Sequence, residues 1–78
     1  MTEKEKYDNA FVETFGNVNG NLPTLSYQSI DKWDSVGHMA LIATLEDAFD
    51  IMMETDDIIN FSSYKKGFEI LAKYDVKF

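Results

Sequence analysis

Tyr7, Phe11 and Phe15 recur at every fourth position, with Ala10 and Val12 beside them, and this spacing predicts a first helix with one aromatic face. Thr2-Glu3-Lys4-Glu5 fits a capping box, in which the threonine and the glutamate each satisfy a backbone N–H of the first turn. Gly16 stands where glycine ends a helix. Residues 17–33 hold no period. Gly20, Asn21 and Pro23 break them, and Leu22, Leu25, Tyr27 and Ile30 predict a connection that packs across the helices. Loops of this length in a small domain usually have a purpose.

A second helix is predicted from about residue 35 to about residue 49, with Leu41, Leu45 and Phe49 as its core stripe and His38 and Ile42 adjoining. Val36, Met39, Ala40 and Ala43 fall on its other faces and predict apolar surface left to solvent. Gly37 is out of place, since a glycine inside a helix costs about 1 kcal/mol relative to alanine. Residues 52–61 are less periodic, with Thr55 or Asp56 as the expected cap of a short turn holding Ile58 and Ile59. Ser62-Ser63 then opens a last helix carrying Tyr64, Phe68 and Leu71. No stretch alternates as a strand would. The expected fold is all-α, a small four-helix bundle of three main helices and one short one, with a long loop between the first two and a single domain over residues 1–78. Its expected core joins Phe11, Phe15, Leu41, Leu45, Phe49, Phe68 and Leu71, with Met39, Met52 and Met53 filling gaps in or near it.

Length limits what such a chain does. Seventy-eight residues form a small core with little room for a buried catalytic pocket. The absence of cysteine removes disulfides and thiolate metal sites. The charged N-terminus lacks the apolar run of a leader, and no stretch is long and apolar enough for a bilayer, so a cytoplasmic location is expected.

Charge adds a second constraint. The net charge of −7 lies wholly in residues 31–60, where Asp31, Asp34, Glu46, Asp47, Asp50, Glu54, Asp56 and Asp57 face Lys32 alone. Such a segment repels nucleic acid and anionic lipid and attracts basic partners. Taken by itself it is also what a solvated helical surface looks like.

Asp34-Ser35 opens the acidic helix. One of the two is expected to cap it. Ser35 also sits where unpaired N–H groups and the positive end of the helix dipole stabilise an attached phosphate. A nucleophile elbow is not formed, because Trp33 occupies the first glycine position of Gly-x-Ser-x-Gly although Gly37 fills the second. A serine–histidine pair with His38 lacks an evident orienting group or oxyanion site. Glu54, Asp56 and Asp57 do not have calcium-loop spacing, and one histidine without cysteine leaves few zinc options. No metal site is expected.

Asp34-Ser35-Val36, the helix through Leu41, Leu45 and Phe49-Asp50, the acidic third segment and the Ser62-Ser63-Tyr64 helix start together resemble an acyl carrier protein, nearly end to end. The resemblance implies that Ser35 receives a 4′-phosphopantetheine arm through a phosphodiester, with Asp34 as its motif neighbour. The arm's thiol would hold acyl or aminoacyl groups as thioesters. It also implies a phosphopantetheinyl transferase and acyl- or aminoacyl-loading and accepting enzymes as partners, a monomeric protein and no catalysis of its own. Val36, Ala43, Glu46, Asp47, Asp56 and Asp57 are the expected docking residues for those basic surfaces. The chain departs from the family pattern in four places: Val36 replaces a leucine, Lys32 a glycine and Ala40 an acid, and Trp33 is bulkier than usual. These departures point to a specialised pathway as much as to fatty-acid synthesis. The other reading is an acidic interaction module in which Ser35 is only an N-cap.

Overall fold

The computed structural model describes residues 2–16 and 18–78; Met1 and Asn17, where the N-terminal segment and the connection begin, lie outside the described residues. Among the described residues four α-helices follow one another: α1 (Glu3–Phe15), α2 (Ser35–Phe49), α3 (Thr55–Asn60) and α4 (Tyr64–Ala72). Thr2 and Glu5 form the expected capping box, and Gly16 closes α1 at φ 82°. Ser63 caps α4 by accepting from the Lys66 N–H at 3.0 Å. At α3 the expectation fails. Its N-cap position is Glu54, no side chain caps it, and Thr55 and Asp56 lie inside the helix.

The connection is more ordered than its composition predicts. It forms a short 3-10 helix (Asn19–Thr24) around Pro23 and then runs antiparallel to the α3–α4 junction. There the Tyr27 N–H donates to the Ser62 carbonyl at 2.8 Å, and the Tyr64 N–H donates to the Leu25 carbonyl at 3.0 Å. Leu22 and Leu25 are buried, while Tyr27 is exposed.

The core gathers the aromatic face of α1 against α2, α4 and the connection. Phe11, Phe15, Leu41, Leu45 and Leu71 are buried as expected. Phe49 and Phe68 are not. Both are half-buried and pack on the core's edge, where Phe78 meets the Phe49 ring at 6.3 Å and the Phe68 ring at 4.7 Å. Trp33, Phe61 and Ile42 are buried in their stead, with Tyr7 beside Phe11. Of the three methionines expected to fill gaps, only Met53 does so; Met39 and Met52 stand in solvent.

Two glycines are explained by close approach. A Cβ on Gly37 would lie 1.8 Å from the Lys32 carbonyl oxygen, and one on Gly67 would lie 1.9 Å from the Tyr7 hydroxyl. The Tyr7 hydroxyl instead donates to the Tyr64 carbonyl at 2.6 Å, and burial pushes its ionisation well above the usual phenol range.

Asp57, an expected docking residue, is 7% exposed. Its carboxylate accepts from the Lys73 ammonium and from the Tyr74 hydroxyl, and that hydroxyl in turn accepts from the Glu54 N–H at 2.9 Å. An aspartate placed in this way ties the first turn of α3 to the C-terminal turn, with both of its oxygens engaged by its own chain.

Two outcomes follow from these contacts. Gly37→Ala should lower the melting temperature, although helix propensity alone would favour alanine by about 1 kcal/mol. A stabilised variant would show that the Lys32 carbonyl does not lie against α2. The second concerns acid. The hydrogen bonds from Lys73 and Tyr74 hold the Asp57 carboxyl below its usual range. The folded state therefore binds this proton more weakly than the unfolded one, and the resulting stability is present at neutral pH. It should fade as pH falls from about 4, the unfolded aspartate value, through the lowered folded one. Melting wild type and Asp57→Asn side by side should show a gap at neutral pH that closes in strong acid.

Candidate functional site

Ser35 is the first residue of α2, and the structure separates it from the capping role. Asp34 is the N-cap: its carboxylate accepts from the Gly37 N–H at 2.8 Å, and its negative charge sits at the positive end of the helix. Ser35 is exposed, and its hydroxyl has no hydrogen-bond partner among the described residues. The helix start is thus satisfied without it.

An open apolar trough of about 370 Å³ begins at Ser35. Met39, one helical turn on, shares its α2 wall, Tyr27 comes from the connection, and Ile58, Ile59 and Phe61 come from α3 and its end. The Ser62 carbonyl that accepts from Tyr27 holds the connection to this face. Met39 is 54% exposed and Ile59 70%, so the rim is wet, while the buried Phe61 closes the back.

His38 stands in the floor. The indole N–H of Trp33 donates to its Nδ1 at 3.0 Å, and its Nε2 lies 2.7 Å from the Ile58 carbonyl. An acceptor at Nδ1 requires the proton on Nε2, which donates to Ile58. The imidazole is thereby fixed as one neutral tautomer, and its one lone pair is engaged by Trp33. No lone pair is left to activate Ser35.

The expected docking residues divide. Val36, Ala43 and Asp47 are exposed and follow one another at i, i+7 and i+11, which places them on one stripe of α2. Val36 is 77% exposed. Asp47 also borders a groove between α1 and α2 beside Lys6 and Glu13, about 18 Å along the helix from Ser35. Glu46 turns to its own chain and accepts from the Met53 N–H at 2.9 Å. Asp56 is exposed on α3. Asp57 is withdrawn by Lys73 and Tyr74, as described above. Among the described residues, none of Asp31, Asp34, Glu46, Asp47, Asp50, Glu54 and Asp56 makes an ion pair, so the field of this segment is only slightly neutralised.

Tyr27, Ile58, Ile59 and the bridging role of His38 were not legible as parts of the site. The pair Trp33 and His38, five residues apart across a helix start, holds a weak signal, because a buried indole needs an acceptor. Nothing in the sequence pointed to the Ile58 carbonyl.

The division of labour at the helix start is testable. Asp34→Ala should cost about 0.5–2 kcal/mol, the range of an N-cap. Ser35→Ala should stay within about 0.5 kcal/mol of wild type, as surface substitutions do. Urea denaturation of the two variants reads both values. No family model, no curated protein and no solved structure matches this chain.

Proposed function

We propose that this chain is an acyl carrier protein in which Ser35 holds a 4′-phosphopantetheine arm. The observation that carries the reading is the Ser35 hydroxyl, exposed, unbonded and set at a helix start that Asp34 already caps. A phosphodiester there gains the positive end of α2 and displaces no existing hydrogen bond. Coenzyme A supplies the arm: the Ser35 oxygen bonds to the phosphorus next to pantetheine, the pyrophosphate bond breaks, and adenosine bisphosphate leaves with the electron pair. The serine proton goes to the transferase or to water.

The engaged lone pair of His38 favours a serine that is acted upon over one that attacks. The arm provides the thiol that a cysteine-free chain lacks, and it holds acyl or aminoacyl groups as thioesters. Catalysis then belongs to the partners, a phosphopantetheinyl transferase and enzymes that load and accept the cargo. Their basic surfaces meet Val36, Ala43, Asp47 and Asp56, while nucleic acid and anionic membranes are repelled by the same charge. Weak, fast docking by steering suits a monomeric cytoplasmic carrier that serves several enzymes in turn. The pathway is a specialised biosynthesis or fatty-acid synthesis.

Incubation with a phosphopantetheinyl transferase, coenzyme A and magnesium should add one phosphopantetheine to wild type and none to Ser35→Ala, as read by intact mass. Modification that survives in the mutant, or none in wild type with several transferases, would sink the assignment. Asp47→Lys or Asp56→Lys should slow the reaction and flatten its salt dependence, because exposed charges are screened within about 10 Å at 0.1 M salt.

A further inference from the structure

The floor of the trough separates Ser35 from the core. Phe61 forms its back, and behind that ring lie Tyr7 and Phe11, each 6.4 Å away between centroids. His38 fills the rest, its ring nearly parallel, at 14°, to that of the buried Trp33. Its two nitrogens join the connection to α2 and α2 to α3, through Trp33 and the Ile58 carbonyl. From the trough, a chain that starts at Ser35 reaches the interior by parting α2 from α3. That movement breaks the His38 bridge.

We propose that His38 is a specificity-determining residue that bolts this seam shut, so that a short group on the arm rests in the open trough and a long alkyl chain stays out of the core. The inference rests on the carrier reading of Ser35. Opening the seam would leave the His38 Nε2–H without its acceptor and the Ile58 carbonyl with only the long bond from the Phe61 N–H, at 3.4 Å. The penalty for such a group offsets the burial of roughly one to four methylenes. Every buried side-chain polar atom among the described residues has a partner, so no buried side chain stands free to replace His38. A chain longer than that meets a second cost, because the rings behind the floor are in contact already and it would have to displace them. The trough takes a short group on easier terms: Tyr27, Met39 and Ile59 offer apolar surface that is still in water. The cargo class that fits is a short acyl or a small aminoacyl group.

The absence of cysteine gives a test that needs no transferase. Ser35→Cys creates a single thiol, which a butyl or a decyl iodoacetamide alkylates at the same position. Melting curves, and the one indole N–H resonance, of Trp33, report where each chain goes. The butyl and decyl adducts should melt within about 3 °C of each other, below the about 3–6 °C expected for each methylene that enters a core of this size. The indole resonance should stay in place while Tyr27, Met39 and Ile59 shift. In His38→Ala the decyl adduct should melt above the butyl adduct and move the indole. His38→Gln, whose amide offers both an acceptor and a donor, should restore the indifference to chain length. Should His38→Ala fail to fold, His38→Phe, which keeps a ring and the indole reporter but has no nitrogen to offer the Ile58 carbonyl, takes its place. A decyl adduct that stabilises the His38-containing chain and shifts its indole overturns the proposal, and so does an opened variant that stays indifferent to chain length. Failure of the carrier reading looks different: wild type then takes no phosphopantetheine from coenzyme A, while the alkyl adducts still report on the seam.

Discussion

A buried indole must set its N–H against an acceptor, and the Trp33–His38 hydrogen bond that meets this requirement orders the region around Ser35. Trp33 ends the connection and sits against Phe11 and Phe15, so its position is fixed by the aromatic face of α1. With Trp33 in place, the Lys32 carbonyl comes against the first turn of α2 and only a glycine fits at position 37. Asp34 then caps that turn. Ser35 is left outside, next to the cap and in contact with solvent. A serine with nothing to hold thus results from a dense set of constraints on its neighbours.

The same bond sets the chemistry of His38. An imidazole that accepts at one nitrogen and donates at the other acts as a spacer between elements. Its neighbourhood is aromatic, with Tyr27 at 5.5 Å and Phe61 at 6.4 Å between ring centres, and these rings add orientation to the two hydrogen bonds. Polar ties and ring packing therefore meet at one residue.

Signals carried by neighbours in sequence were legible. The capping box of Thr2 and Glu5, the serine before α4 and the glycine after α1 each act within a few residues, and each was found where expected. The spacing of Leu41 and Leu45 likewise reports one helical face. What periodicity leaves open is how far along that face the cover extends. Phe49 and Phe68 continue the right stripes but reach the bundle's edge, whereas Trp33 and Phe61 lie outside any long period and are buried through tertiary contacts. Asp57 misled for a related reason. It looks like its neighbours Glu54 and Asp56, and its partner Lys73 lies 16 residues on. At the site, Asp34-Ser35 was legible as a pair, but the assignment of the cap to Asp34 depends on backbone geometry that composition does not carry.

The anchoring of α3 has a consequence for how this surface changes over evolution. This short helix is held by a carbonyl given to His38, a carboxylate given to Lys73 and Tyr74, and a half-buried Ile58. Thr55, Asp56, Ile59 and Asn60 face solvent and take no part in those ties. A helix fastened in this manner accepts new residues on its outer face without disturbing the core, since its ties run through Asp57 and Ile58 and not through the outer side chains. The chemistry of this outer face can then be rewritten at these four positions by drift and selection, one substitution at a time, while Asp57, His38 and the fold they secure stay as they are.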